Sequence, residues 1–99
     1  MMTAYVIVDT KLENPEAYEE YKQKARPIVE KFGGVYRARG GKMEVLESDL
    51  WTPSRVVVIE FPSMAQAKTC LGSAEYLAVR PLRHANAKAT LVILDGLTG

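Results

Sequence analysis

The chain has 99 residues, 47% of them hydrophobic and 25% charged, with a formal net charge of +1. That length suits one domain over residues 1–99, and the composition is that of a globular chain rather than a disordered one. The near-neutral balance, without a run of Lys or Arg, offers no field for nucleic acid or an acidic membrane, and apolar runs of about four residues fall far short of the ~18 a membrane span needs.

Cys70 is the single cysteine, which excludes an internal disulfide and suits a reducing compartment. The N-terminal residues lack the basic start and long apolar stretch of a secretory signal, so a cytoplasmic location is expected.

Tyr5-Val6-Ile7-Val8 is a β-branched run that predicts a buried strand. Asn14-Pro15 predicts a helix start, with Asn14 as N-cap and Pro15 where a missing N–H costs nothing. Tyr18, Tyr21, Ala25, Ile28, Val29 and Phe32 recur at helical spacing and form an apolar stripe, read as helix core rather than a ligand cage. Pro27 predicts a kink or an early end, and Gly33 sits where a C′ glycine belongs. A second strand is expected from Val35 to Gly40, then a turn at Gly40-Gly41 and a short extended arm over Met43-Glu44-Val45-Leu46. Asp49 to Ser54 reads as a loop carrying Trp51 and Pro53. Arg55 to Phe61 is the clearest strand. Ser63, with Gln66 three residues on, has the capping-box pattern of a short helix that Gly72 ends. Ser73 opens another helix, kinked at Pro81 and reaching about Ala87, and Ala89 to Leu94 is the last strand.

The order βαββαβ is that of a ferredoxin-like α+β fold: a four-stranded antiparallel sheet with the helices on one face. Alternation shows that both sheet faces are apolar. Val57, Ile59 and Phe61 point one way, Val56, Val58 and Glu60 the other; Tyr5 and Ile7 oppose Val6 and Val8; Leu91 and Ile93 oppose Val92 and Leu94. About seven large side chains on the uncovered face amount to roughly 700 Å², above the ~300–600 Å² of a typical monomer's largest patch. Covering them contributes on the order of 15 kcal/mol gross at ~25 cal/mol per Å², before association costs. A homodimer packed sheet to sheet is the simplest cover.

Several segments together resemble a known family: Phe32-Gly33-Gly34, Arg37-Ala38-Arg39-Gly40-Gly41, Val45-Leu46-Glu47, the run from Arg55 to Ser63, and Ser73-Ala74-Glu75-Tyr76 with Arg83. They are similar to the DUF1330 family, over nearly the whole chain. The resemblance implies the dimeric α+β-barrel superfamily, in which two ferredoxin-like sheets pack face to face. It implies no activity; monooxygenases, dehalogenases and isomerases of that superfamily are analogies of fold alone. Cys70-Leu71 stands where the family usually has an aromatic pair, and Ser48 where it commonly has Gly.

Glu60 interrupts an apolar strand, and on the uncovered face it would need a partner, with Arg37 or Arg39 on the neighbouring strand available. A buried carboxylate there suits a general base or acid; a structural ion pair is the plainer reading. Tyr76 and Arg83 lie two helical turns apart on one face, suited to hold a ligand's hydroxyl and carboxylate, or else to pack on the sheet and complement the helix C-terminus. His84 has no neighbouring ligands to make a metal site, and Cys70 has no evident base and reads as a small buried hydrophobe. The glycine pairs do not have the strand-to-helix setting of a phosphate loop. The expectation is a homodimeric small-molecule-handling domain with a pocket between sheet and helices lined by Arg39, Glu60, Tyr76 and Arg83. If it is an enzyme, it would act without a cofactor on a small organic acid or carbonyl compound, with Glu60 as base. The alternative is a non-catalytic binding or structural module.

Overall fold

The computed structural model describes residues 3–97, in the order β1 (Ala4–Leu12), α1 (Pro15–Lys31), β2 (Val35–Arg39), β3 (Val56–Phe61), α2 (Met64–Leu71), α3 (Ala74–Asn86) and β4 (Ala87–Asp95). The helix starts follow from side-chain caps. Asn14 Oδ1 accepts from the Ala17 N–H at 3.0 Å, Ser63 Oγ from Gln66 at 3.0 Å, and Ser73 Oγ from Tyr76 at 3.1 Å. The box at Ser63 is only half formed. The Gln66 side chain turns away and donates to the Phe32 carbonyl at 2.9 Å, tying α2 to the end of α1.

Pro27 does not end α1, which runs on to Lys31, and α3 likewise continues past Pro81. Both prolines are exposed, so water can take the carbonyl that each leaves without an N–H. Gly33 follows the helix with φ +88°, the left-handed conformation expected of C′. At Gly34 a Cβ would stand 2.5 Å from Val29 and 2.9 Å from Phe61, so α1 and the sheet approach more closely there than any side chain permits.

The strands form one antiparallel sheet in the order β2-β3-β1-β4, the ferredoxin-like arrangement. Register puts Val6 opposite both Ile59 and Ile93, and Val8 opposite Val57 and Leu91, so these side chains share the covered face. They meet Val29 of α1 and Ala67 and Cys70 of α2 in the core. The other face carries Tyr5, Ile7, Val35, Val56, Val58, Val92 and Leu94, of which Val35, Val92 and Leu94 are about half exposed. The two-sided apolar sheet read from alternation is therefore present.

Two stretches depart from regular structure. In β2 the register shifts between Tyr36 and Ala38, leaving Arg37 as the extra residue of a β-bulge. The segment 40–55 has no regular structure, so Met43 to Leu46 do not form an extended arm paired to the sheet; Leu46 and Leu50 stand almost wholly in solvent.

Candidate functional site

A small cavity of about 50 Å³ lies between the covered face of the sheet and helices α1 and α3. Its floor is apolar: Val6, Val8, Val57, Ile59 and Leu91. Its walls are not. Tyr18 and Tyr21 come from α1, Tyr76 and Arg83 from α3, Tyr36 and Arg39 from β2, and Arg55 from the approach to β3. Among the described residues, no Asp, Glu or His lines it. Lys22 and the exposed Arg39 also border a shallow groove along α1, floored in part by Gln23 and Pro27, and so mark the cavity's mouth.

Each polar side chain is held by identifiable contacts. Arg83 is only 9% exposed, and its Nε donates to the Tyr76 hydroxyl at 3.3 Å. Tyr76 in turn lies 2.7 Å from the Tyr21 hydroxyl, and the two rings meet edge to face. Tyr18 stacks obliquely on Tyr21 at 5.1 Å. The Arg39 guanidinium lies over the Tyr36 ring at 5.3 Å, and that of Arg55 over Tyr18 at 5.8 Å.

The backbone of Arg55 is pinned from both sides of the sheet. Its N–H and that of Ser54 donate to Asp9 Oδ1 at 3.0 and 2.8 Å, while its carbonyl accepts from the Thr10 N–H at 2.9 Å. Arg55 Nη1 then donates to the buried Thr10 hydroxyl at 3.4 Å. Gly40, at φ +68°, makes room beside it: a Cβ there would fall 2.6 Å from Arg55 Nε. Burial pushes the Asp9 carboxyl up, but the N–H donors of Ser54 and Arg55 and the indole of Trp51 outweigh it and hold its pKa below the usual value.

Burial raises the pKa of the Tyr18 phenol despite the neighbouring Arg55 and Arg83, takes that of Tyr36 to about 12, and raises that of Tyr21 further with help from Tyr76. Burial alone would lower the Arg83 pKa; the phenolic oxygens of Tyr76, Tyr21 and Tyr18 more than offset it and the net shift is upward. Arg39, Arg55 and Arg83 enter no salt bridge among the described residues. The result is an apolar cleft bordered by three guanidinium groups and by hydroxyls.

Arg39, Tyr76 and Arg83 line one cavity and Glu60 does not, which corrects the four-residue pocket. Glu60 pairs in register with Tyr5 and Val35 on the opposite face of the sheet, where its Oε1 accepts from Arg37 Nε at 3.3 Å. The bulge explains why Arg37 and Arg39 part company. Two residues apart in a regular strand they would share a face, whereas the extra residue sends Arg37 to Glu60 and Arg39 into the cleft.

Tyr18, Tyr21, Tyr36 and Arg55 were not expected at a site. The tyrosines of α1 carry the same spacing as core residues, but Arg55 falls in the alternation of Val57, Ile59 and Phe61 and was detectable as a cation on an apolar face. Trp51 does not border the cleft; its indole N–H donates to Asp9 Oδ2 at 3.1 Å. Cys70 is fully buried, which raises its thiol pKa to about 11, and His84 is exposed. Among the described residues no three His, Cys, Asp or Glu side chains gather closely enough to hold a metal ion, and no helix is long and apolar enough to cross a membrane.

Residues 3–97 match a family model described as a domain of unknown function, DUF1330. The chain belongs to the DUF1330 family. Solved structures share the fold of this DUF1330 domain. A protein of unknown function from Rhodopseudomonas palustris is 20% identical, with a TM-score of 0.76 over 98% of this chain and 84% of that one. A dimeric protein of unknown function and ferredoxin-like fold from Bacteroides fragilis is 15% identical, with a TM-score of 0.60 over 96% of both chains. SnoaB, a cofactor-independent oxygenase from Streptomyces nogalater, is 9% identical, with a TM-score of 0.60 over 99% of this chain and 94% of that one. At these identities the likeness to the DUF1330 domain is one of fold alone. No curated protein matches the chain.

Proposed function

We propose that the chain is a homodimeric small-molecule-binding domain, in which two copies bury their open sheet faces against each other and each holds a compact organic acid or carbonyl compound in its own cleft. The observation that carries the reading is the hydrogen-bonded chain from buried Arg83 and Tyr76 to half-buried Tyr21, lining an apolar-floored cavity that the exposed Arg39 also borders. The dimer is supported by the seven apolar side chains left on the uncovered face, and by the dimeric state of the ferredoxin-like Bacteroides fragilis protein. In this arrangement Arg39, Tyr76 and Arg83 bind the ligand. Glu60, on the other side of the sheet, is an ion-pair partner of Arg37 at the dimer face and not the base of the cleft.

One observation favours a second reading, a purely structural module. Among the described residues no fully buried side-chain nitrogen or oxygen is wholly without a hydrogen-bond partner, so none is orphaned in the absence of a ligand. A fragment screen by heteronuclear NMR separates the two. Small organic acids and carbonyl compounds should shift the resonances of Tyr76, Arg83 and Arg39. A screen with no hits at the cleft would leave the structural module standing. Sedimentation equilibrium tests the dimer, and a well-folded monomer at high concentration would remove that part of the proposal.

A further inference from the structure

We infer that the cleft recognises an oxyanion that arrives already charged, the head of a small carboxylate, and not a neutral carbonyl compound that it deprotonates. This rests on the reading of the cleft as a ligand site and narrows the ligand to one class.

The first reason lies in the count of hydrogen-bond donors. A guanidinium only donates, so the Tyr76 oxygen must accept from Arg83 Nε. Tyr21 and Tyr76 share a single hydrogen across their 2.7 Å contact, and either oxygen can supply it. Two phenols carry two O–H hydrogens, so one remains for another acceptor whichever way the pair is oriented. Arg83, which can only donate, lines the cavity beside them, so the cluster offers donors while the Tyr76 oxygen is already engaged. Such an arrangement is complementary to a carboxylate, whose two oxygens only accept.

Charge gives the second. Arg39, Arg55 and Arg83 all reach the cavity, none pairs with a carboxylate among the described residues, and no acid lines the wall. A buried guanidinium without a counter-charge is unfavourable, and an anion relieves it. The cleft also lacks a carboxylate, imidazole or thiolate among the described residues to accept a proton from carbon. The phenols of Tyr18, Tyr21 and Tyr36, protonated at neutral pH as phenols are, become still weaker acids through burial. The charge must therefore come with the ligand.

Size gives the third. About 50 Å³ exceeds the ~10–15 Å³ of free space that a single water requires and leaves room for a small carboxylate head. Lys22 and Arg39 border both the cavity and the groove along α1, which Glu19 and Glu30 also line, and a longer tail would run in that direction.

The test compares acetate and propionate with their neutral isosteres acetamide and propionamide, on the full chain, by NMR titration followed at Arg83 and Tyr76. The acids should bind at least about tenfold more tightly than the amides, as expected for hydrogen bonds to a charged group. Affinity should stay flat between pH 6 and 9. Tyr76→Phe and Arg83→Gln should each weaken acetate about tenfold or more. If Arg83→Gln fails to fold, Arg39→Gln at the exposed mouth takes its place, with a smaller loss of about threefold or more expected from its solvent-screened charge. Equal binding of acid and amide, or tighter binding of inorganic phosphate than acetate, would overturn the carboxylate assignment while sparing the cleft as a ligand site. Binding of none of these probes would overturn both.

Discussion

The two faces of the sheet are built from the same kind of apolar residue but differ in the polar groups set among them. Behind the helices, the apolar floor of Val6, Val57 and Ile59 is interrupted by four tyrosines and three arginines whose contacts are specific in direction and distance. On the open side, Tyr5, Ile7, Val56, Val58 and Val92 form a surface without such a cluster, and its one ion pair among the described residues, Arg37 with Glu60, is at the β2 side and partly exposed. The contrast teaches that the sheet's polar residues gather into a directed cluster only where burial and convergence coincide. A lone carboxylate in an apolar strand is conspicuous in sequence and yet ordinary in space.

The sharpest way to break this division is a charge at the centre of the open face. Val58→Lys should leave each chain folded but raise the dimer dissociation constant at least a hundredfold, about 3 kcal/mol or more for an unpaired buried ammonium. Sedimentation equilibrium measures it, and an unchanged dimer would show that copies meet elsewhere. Next in size is Gly34→Ala on the covered side. The added methyl strikes Val29 and Phe61 and should cost about 1–3 kcal/mol by overpacking, a fall of roughly 4–8 °C in Tm per kcal/mol.

Alkaline titration tests the covered side without mutation. The Tyr18, Tyr21 and Tyr36 pKa values lie above 10.0 in the folded chain, so these phenols bind their protons more tightly folded than unfolded. Their contribution is fully present below pH 10 and is lost as pH rises through the folded values, with urea midpoints falling accordingly. Absorbance at the phenolate band should show these tyrosines ionising late, together with unfolding. Early, reversible ionisation of all five tyrosines would mean the cleft is wet. The smallest effect belongs to Glu60→Gln, which should shift stability by no more than about 0.5 kcal/mol and leave acetate binding unaltered. A large loss of binding would return Glu60 to the site.

Much of this architecture was legible from residue order. The caps at Asn14, Ser63 and Ser73 and the alternation in β1, β3 and β4 are local signals that tertiary packing reinforced. Tyr76 and Arg83 were visible as neighbours because a helix maps sequence spacing onto a face. Three things were not legible. Pro27 left open an early end to α1, since nothing in sequence says that the carbonyl it leaves unpaired faces water. Tyr18 and Tyr21 read as core, because side chains lining a cavity under a helix have the same spacing as packed ones. Arg37 and Arg39 read as interchangeable partners of Glu60, because the bulge that separates them is a property of pairing between β2 and β3 rather than of β2 alone.

That same extra residue at Arg37 has a consequence for how copies of the chain can aggregate. β2 is a border strand, and a passing strand that tried to add there would find amides and carbonyls out of step after two residues, with Arg37 and Arg39 projecting to either side. Lateral, fibril-like growth is thereby discouraged at this border.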